Sequence, residues 1–251
     1  MSAIKDAVGR CLAWLASYCR TLAPVRSLTA TPDSAIDYVA RRDLVGLRAA
    51  ILLGLDVNTR DTYGLTALVW AARAGQVETV KVLLDAGADP NGDVRAGYAL
   101  QAAMETYCKV ETVRMLLAAG ADVNVNNGLT PLMRAVHNTN LEIIDMLLRA
   151  GADVNARGVE NVTALSRASM TIRSGVVRML LSAGADANTQ DQYGITPLMN
   201  AVKIAHSTES VRDLLDAGAY TAVRSHEGKT ALDHARELNL EDVCQLLMSR
   251  E

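Results

Sequence analysis

The chain of 251 residues has no phenylalanine, two tryptophans and five prolines, and its aromatic content is only 4 %. A core without Phe must be filled by Leu, Val, Ile, Ala and Met, and such methyl-rich side chains suit helices packed closely in layers. Cysteine is scarce too. Cys11, Cys19, Cys108 and Cys244 show neither Cys-x-x-Cys spacing nor the density of a disulfide scaffold, so they read as free thiols in a reducing compartment, with the cytoplasm the expected location. No apolar run approaches the roughly 18 to 20 residues a bilayer span requires, so an integral membrane protein is not expected. The net charge of -3 and the absence of any Lys or Arg run argue against a nucleic-acid partner.

The usual signatures of catalysis are missing as well. His137, His206, His226 and His234 are dispersed, with no His-x-x-x-His pair and no neighbouring Cys, so no metal site is expected. Gly228-Lys229-Thr230 lacks the upstream Gly and strand of a phosphate loop and reads as a turn followed by a helix cap. Neither a catalytic constellation nor a cofactor is expected. The one enzymatic alternative is a site hidden in the irregular segment carrying Tyr98, Glu105, Tyr107 and Cys108.

What the chain has is self-similarity. Gly-Ala-Asp recurs at Gly87, Gly120, Gly151 and Gly184, with worn copies at Gly54 and Gly218, and successive spacings are 33, 33, 31, 33 and 34 residues. Each Gly follows an apolar helical stretch such as Val77 to Leu84, where a left-handed residue must end the helix. About twelve residues later Thr66, Thr130, Thr163, Thr196 or Thr230 stands where a hydroxyl can cap the next helix, and Pro131 and Pro197 fill first helical positions. Between stop and start, Asp-x-Asn and then Gly64, Gly128, Gly194 and Gly228 supply turn chemistry for a short hairpin, with Asn161 replacing Gly in one copy. A period near 33 residues with an internal Thr-Pro-Leu or Thr-Ala-Leu marks stacked helix-turn-helix units. The chain resembles the ankyrin repeat family.

That resemblance implies an all-α solenoid of stacked helix-turn-helix units with β-hairpin-like fingers. The expected organisation is an N-terminal amphipathic helix or extension over 1–32 and a repeat domain over 33–251. The domain divides into a degenerate first unit 33–60, repeats near 61–93, 94–125, 126–157, 158–190 and 191–224, and a C-terminal unit 225–251. Ile4, Val8, Cys11, Leu12, Leu15, Tyr18, Cys19 and Leu22 make the apolar stripe of the leading helix. That helix reads as a cap over the first repeat. The alternatives are a transit or secretory signal, or a docking or membrane-surface helix with Cys11 and Cys19 as acylation sites.

In a repeat protein, residues that return in every unit are explained by the stack, so function must lie in what varies. Asp89, Asp122, Asp153 and Asp186, and Asn58, Asn91, Asn124, Asn155 and Asn188, accordingly read as turn residues. The resemblance permits hydroxylation of such Asn residues. It also makes the replacement of the family's His in Thr-Pro-Leu-His, by Val69, Gln101, Met133, Ser166, Met199 and Asp233, a reason to expect weaker bonding between helix starts and fingers. Four and seven residues beyond each opening Thr, side chains share one helix face, which in this family lines a concave groove. Position four reads Trp70, Ala102, Arg134, Arg167, Asn200 and His234; position seven reads Arg73, Glu105, His137, Met170, Lys203 and Glu237. Finger tips add Tyr63 and Tyr193. Trp, Tyr and Arg dominate binding energy at interfaces, so the candidate partner-binding residues are Tyr63, Trp70, Arg73, Arg134, His137, Arg167, Tyr193 and Lys203. The expected function is non-enzymatic: a monomeric scaffold or adaptor whose groove and fingers hold another protein, one presenting acidic or mixed surface. A targeting role for 1–32 is the competing possibility.

Overall fold

The glycines that return every 31 to 34 residues all take the left-handed backbone in the computed structural model, from φ 83° at Gly87 to φ 92° at Gly54. A β-carbon at Gly54, Gly87, Gly120, Gly151, Gly184 or Gly218 would meet nothing within 4 Å, so backbone conformation rather than crowding dictates glycine at these joints. The structure describes residues 34–92, 98–105, 109–171, 174–204 and 208–250. The chain divides into Met1–Asp33 and Ser34–Glu251, and all the described residues belong to the second unit. The helix expected over 1–32 lies outside the described residues, as do Arg95, Tyr107, Cys108 and the irregularity around Ala205-His206-Ser207.

Among the described residues there are seven helical pairs. They are α1 (Ala35–Arg41) with α2 (Leu44–Leu52), α3 (Ala67–Arg73) with α4 (Val77–Asp85), α5 (Ala99–Ala103) with α6 (Val110–Ala118), and α7 (Pro131–His137) with α8 (Leu141–Arg149). The series continues with α9 (Ala164–Ser169) and α10 (Ser174–Ser182), α11 (Pro197–Ile204) and α12 (Thr208–Asp216), and α13 (Ala231–Glu237) and α14 (Glu241–Met248). Each first helix packs on its own second helix and on the first helix of the next pair. The fold is the expected all-α solenoid.

The first helices approach one another on alanine. Ala67, Ala71, Ala99, Ala103, Ala135, Ala164, Ala168, Ala201, Ala231 and Ala235 are all 2 % exposed or less. The second helices supply the larger methyl groups at three- and four-residue spacing, such as Ile143, Ile144 and Leu147 in α8 and Val176, Val177 and Leu180 in α10. Truncating one of these to Ala typically removes about 2–5 kcal/mol.

Helix starts follow the sequence with one correction. Thr130, Thr163, Thr196 and Thr230 accept the backbone N–H three residues on at 3.1–3.2 Å, and Ser34 forms a reciprocal capping box with Asp37. Thr66 does not cap. It is buried at 3 % exposure and its side chain packs towards Gly92 of the following finger, so α3 starts without a side-chain cap.

The fingers are tight turns rather than paired strands, with a single isolated bridge, Arg60 to Thr66, among the described residues. Asp61 builds the first: its Oδ1 accepts from Tyr63 N–H and Leu65 N–H at 2.8 and 2.9 Å, an arrangement Asp191 repeats with Tyr193 and Ile195. In the fourth repeat Asn161 takes φ 59°, as expected where it replaces Gly, and Glu160 shares the left-handed region at φ 60°. Successive later fingers are joined through backbone: Val159 N–H donates to Gly128 O at 2.8 Å, Gln192 N–H to Glu160 O at 2.8 Å, and His226 N–H to Tyr193 O at 2.9 Å.

The recurring Asn residues do more than turn the chain. Asn155 donates Nδ2–H to Gly184 O at 3.1 Å and accepts Asp186 N–H at 2.8 Å, tying one joint to the next. Asn58, Asn91 and Asn124 do the same to the joints at Gly87, Gly120 and Gly151. Asn188 reaches Gly218 O and accepts Tyr220 N–H. The recurring Asp residues instead serve locally, each accepting the N–H of the Asn two residues on.

Candidate functional site

Seven-residue α3 and α7 are about two turns long, enough for one side chain at position four and one at position seven, whereas five-residue α5 ends before its position-seven residue Glu105. Because α3, α5, α7 and α9 pack in series, these positions form two columns. Along position four, Ala102, Asn200 and His234 are buried, whereas Trp70, Arg134 and Arg167 are half-buried. Position seven lies further out: His137 and Met170 are exposed, and Arg73 and Lys203 half-buried.

In the first repeat, Trp70 packs against the core and donates its indole N–H to Asp61 Oδ2 at 2.9 Å. The same carboxylate therefore shapes the finger carrying Tyr63 and fixes the Trp70 ring. Tyr63 is 43 % exposed at that tip, and Tyr193 is 56 % exposed at the fifth.

Charge on this face is partly compensated. Arg73 Nε donates to Glu105 Oε2 at 2.9 Å, while Arg134 Nη1 stands 3.7 Å from Glu105 Oε1. One carboxylate thus serves guanidiniums from the units on either side, but the short, aligned contact belongs to Arg73. The Arg134 Nε and the Arg167 Nε are both shielded from solvent and make no hydrogen bond to the described residues.

Arg134, His137 and Arg167 line one open cavity of about 330 Å³ together with Glu105, Asn138, Met104, Leu129 and Met133. Its wall is braced by Asn138, whose Nδ2–H donates to Met104 O at 2.6 Å. Three of the eight sequence candidates thus meet at one place, Arg73 is linked to it through Glu105, and Tyr63 and Trp70 form a separate group around Asp61. Tyr193 and Lys203 belong to neither. Lys203 lies near His234, whose pKa is lowered first by burial and then by the Lys203 charge, against an opposing pull from Glu237.

Sequence reasoning passes over Glu105 as a partner of the arginines, although its sign, opposite to Arg73 and Arg134 in adjacent repeats, is the available signal. Gln101 also departs from expectation. Buried at 2 % exposure, it donates Nε2–H to Leu129 O at 2.7 Å and Asn127 Oδ1 at 3.2 Å, joining the second helix start to the third finger where weaker bonding is expected. The amide has the length and the two donors to reach across. Ser166 is instead bound within its own cap, its N–H donating to Thr163 Oγ1 and its hydroxyl accepting from it, and Asp233 closes a capping box with Thr230.

Among the described residues, no cluster of three or more His, Cys, Asp or Glu side chains could hold a metal ion, and no helix is long and apolar enough to cross a membrane. Of the residues considered for a hidden enzyme, Glu105 is held by Arg73, and Tyr107 and Cys108 fall outside the described residues.

A family model described as ankyrin repeats (3 copies) matches residues 25–94, 92–158 and 165–251. The human ASB11 ankyrin repeat domain is 28 % identical, with a TM-score of 0.72 over 88 % of this chain and 98 % of its own. The ankyrin repeat domain of Bcl-3, a member of the IkappaB protein family, is 26 % identical, with a TM-score of 0.73 over 86 % of this chain and 99 % of its own. No curated protein sequence matches the chain.

Proposed function

Because the chain belongs to the ankyrin repeat family, whose members are generally non-enzymatic protein-interaction modules, we propose that it acts as an adaptor holding a partner protein against the first-helix face and the finger tips. The observation that carries this reading is the cavity of about 330 Å³ flanked by Arg134, His137 and Arg167, the size of a small ligand site but open along a groove. Tyr63 and Tyr193 would extend the contact to the fingers, offering broad rigid surface at little entropic cost. A stack whose joints are tied by Asn side chains presents these groups pre-organised, which lowers the ordering cost of association. On the same proposal the protein works in the cytoplasm as a monomer.

The test replaces Arg134 and Arg167 with Ala in one variant and Tyr63 and Tyr193 with Ala in another, and compares partners recovered from the native host with those of the unaltered protein. Loss of an interface hot spot weakens binding by at least about tenfold. Undiminished recovery by both variants, with circular dichroism and unfolding midpoint preserved, would refute groove and finger binding together.

A further inference from the structure

Resting on the groove reading above, we infer that the Arg134–Arg167 cavity is a receptor for one carboxylate side chain of an extended peptide segment, seated beside an apolar neighbour. Two guanidiniums line the cavity, on α7 and α9, and these helices pack directly on one another. Each has an Nε–H that is shielded from solvent and unmatched by any described acceptor. A shielded donor without a partner is unfavourable, more so when it belongs to a charged group. Charge complementarity with the two guanidiniums is what an incoming carboxylate gains.

The carboxylate already in the wall does not fill that role. Glu105 is engaged by Arg73 at 2.9 Å and reaches Arg134 only at 3.7 Å; the cavity lining brings no other acid. Arg134, Arg167 and Glu105 therefore leave a positive excess. A guanidinium fork matches a planar carboxylate and can donate two parallel bonds to it. Met104, Leu129 and Met133 also line the cavity, a surface for the methylenes of Glu and for an adjacent aliphatic side chain, where thioethers adapt to shape.

The experiment immobilises the full chain, selects random displayed dodecapeptides, and measures synthetic versions of the enriched sequences by fluorescence polarisation. Enriched peptides are expected to share one Asp or Glu next to an aliphatic residue. Changing that acid to Gln should weaken binding by about tenfold or more, as should Arg134→Gln or Arg167→Gln in the protein. His137→Glu, at an exposed position, should weaken the acidic peptides by a comparable factor while the circular dichroism of the fold is kept. Phosphoserine in place of the acid is measured alongside, as the arm that separates a phosphate ligand from a carboxylate. The inference is overturned by a selection that enriches nothing or enriches acid-free peptides, by acidic peptides indifferent to these variants, or by a tighter phosphoserine peptide. Should the host partner still be lost on replacing Arg134 and Arg167 with Ala while the peptide selection fails, groove binding stands and only the carboxylate is removed.

Discussion

Replacing Asn155 with Ala isolates what the side-chain ties between joints are worth. The substitution deletes the bond from Nδ2 to Gly184 O at 3.1 Å and that from Asp186 N–H to Oδ1 at 2.8 Å. A hydrogen bond of this kind contributes about 0.5–1.5 kcal/mol net. Gly184 and Asp186 are both exposed, so water can take over the released groups and the combined loss should sit near about 1–2 kcal/mol. For a domain of this size that lowers the thermal midpoint by roughly 2–8 °C. In a repeat array stability is close to a sum of unit and nearest-neighbour terms, so the loss should be local to the joint. Native-state amide exchange should accelerate in α11 to α14, beyond the weakened joint, and change little in α1 to α4. Asn155→Asp keeps the acceptor for Asp186 but turns an oxygen towards Gly184 O, and should be at least as damaging as Ala. A change below about 0.3 kcal/mol, or exchange that accelerates uniformly, would refute the reasoning.

Gln101→Met keeps the side-chain volume but removes the donors to Leu129 O and Asn127 Oδ1, and should cost about 1–3 kcal/mol because the acceptors lose a buried partner; an unchanged urea midpoint would refute it. His234 sets a pH dependence. Burial, reinforced by Lys203, lowers its folded-state pKa below the ordinary 6.5, so the unfolded chain takes up the proton first. Its contribution to stability is then complete above about pH 7 and declines as pH falls through the unfolded value towards the folded one. The thermal midpoint of His234→Asn should fall less than that of the unaltered protein between about pH 7 and pH 5, and parallel curves would exclude this origin.

The parts of this protein legible in its sequence are those that recur. Gly87, Gly120, Gly151 and Gly184 locate the ends of the second helices because a left-handed position leaves the backbone almost no other choice. Thr130, Thr163, Thr196 and Thr230 locate the starts because a cap is a contact over three residues. Contacts over about thirty residues are not legible in the same way. Asn155 looks like a turn residue within its own unit, and only its distance to Gly184 O shows that it spans two. Thr66 matches the other caps in sequence, yet its hydroxyl caps nothing. The site behaves likewise: the column rule brings Arg134, His137 and Arg167 to one cavity, but the share of Glu105 taken by Arg73 is a matter of tenths of an ångström, and no spacing rule sees it. Lys203 and Tyr193 satisfy the same residue-type argument and lie outside that cavity.

The alanines between the first helices make the molecule a ruler as well as a shelf. With alanines buried along α3, α5, α7 and α9, neighbouring graduations have little to compress and little room for insertion. A larger residue at Ala135 or Ala168 would therefore lengthen the scale itself, moving Arg134 away from Arg167 without touching either. Selection acting on what this face recognises could work from beneath it, through side chains that no partner ever meets.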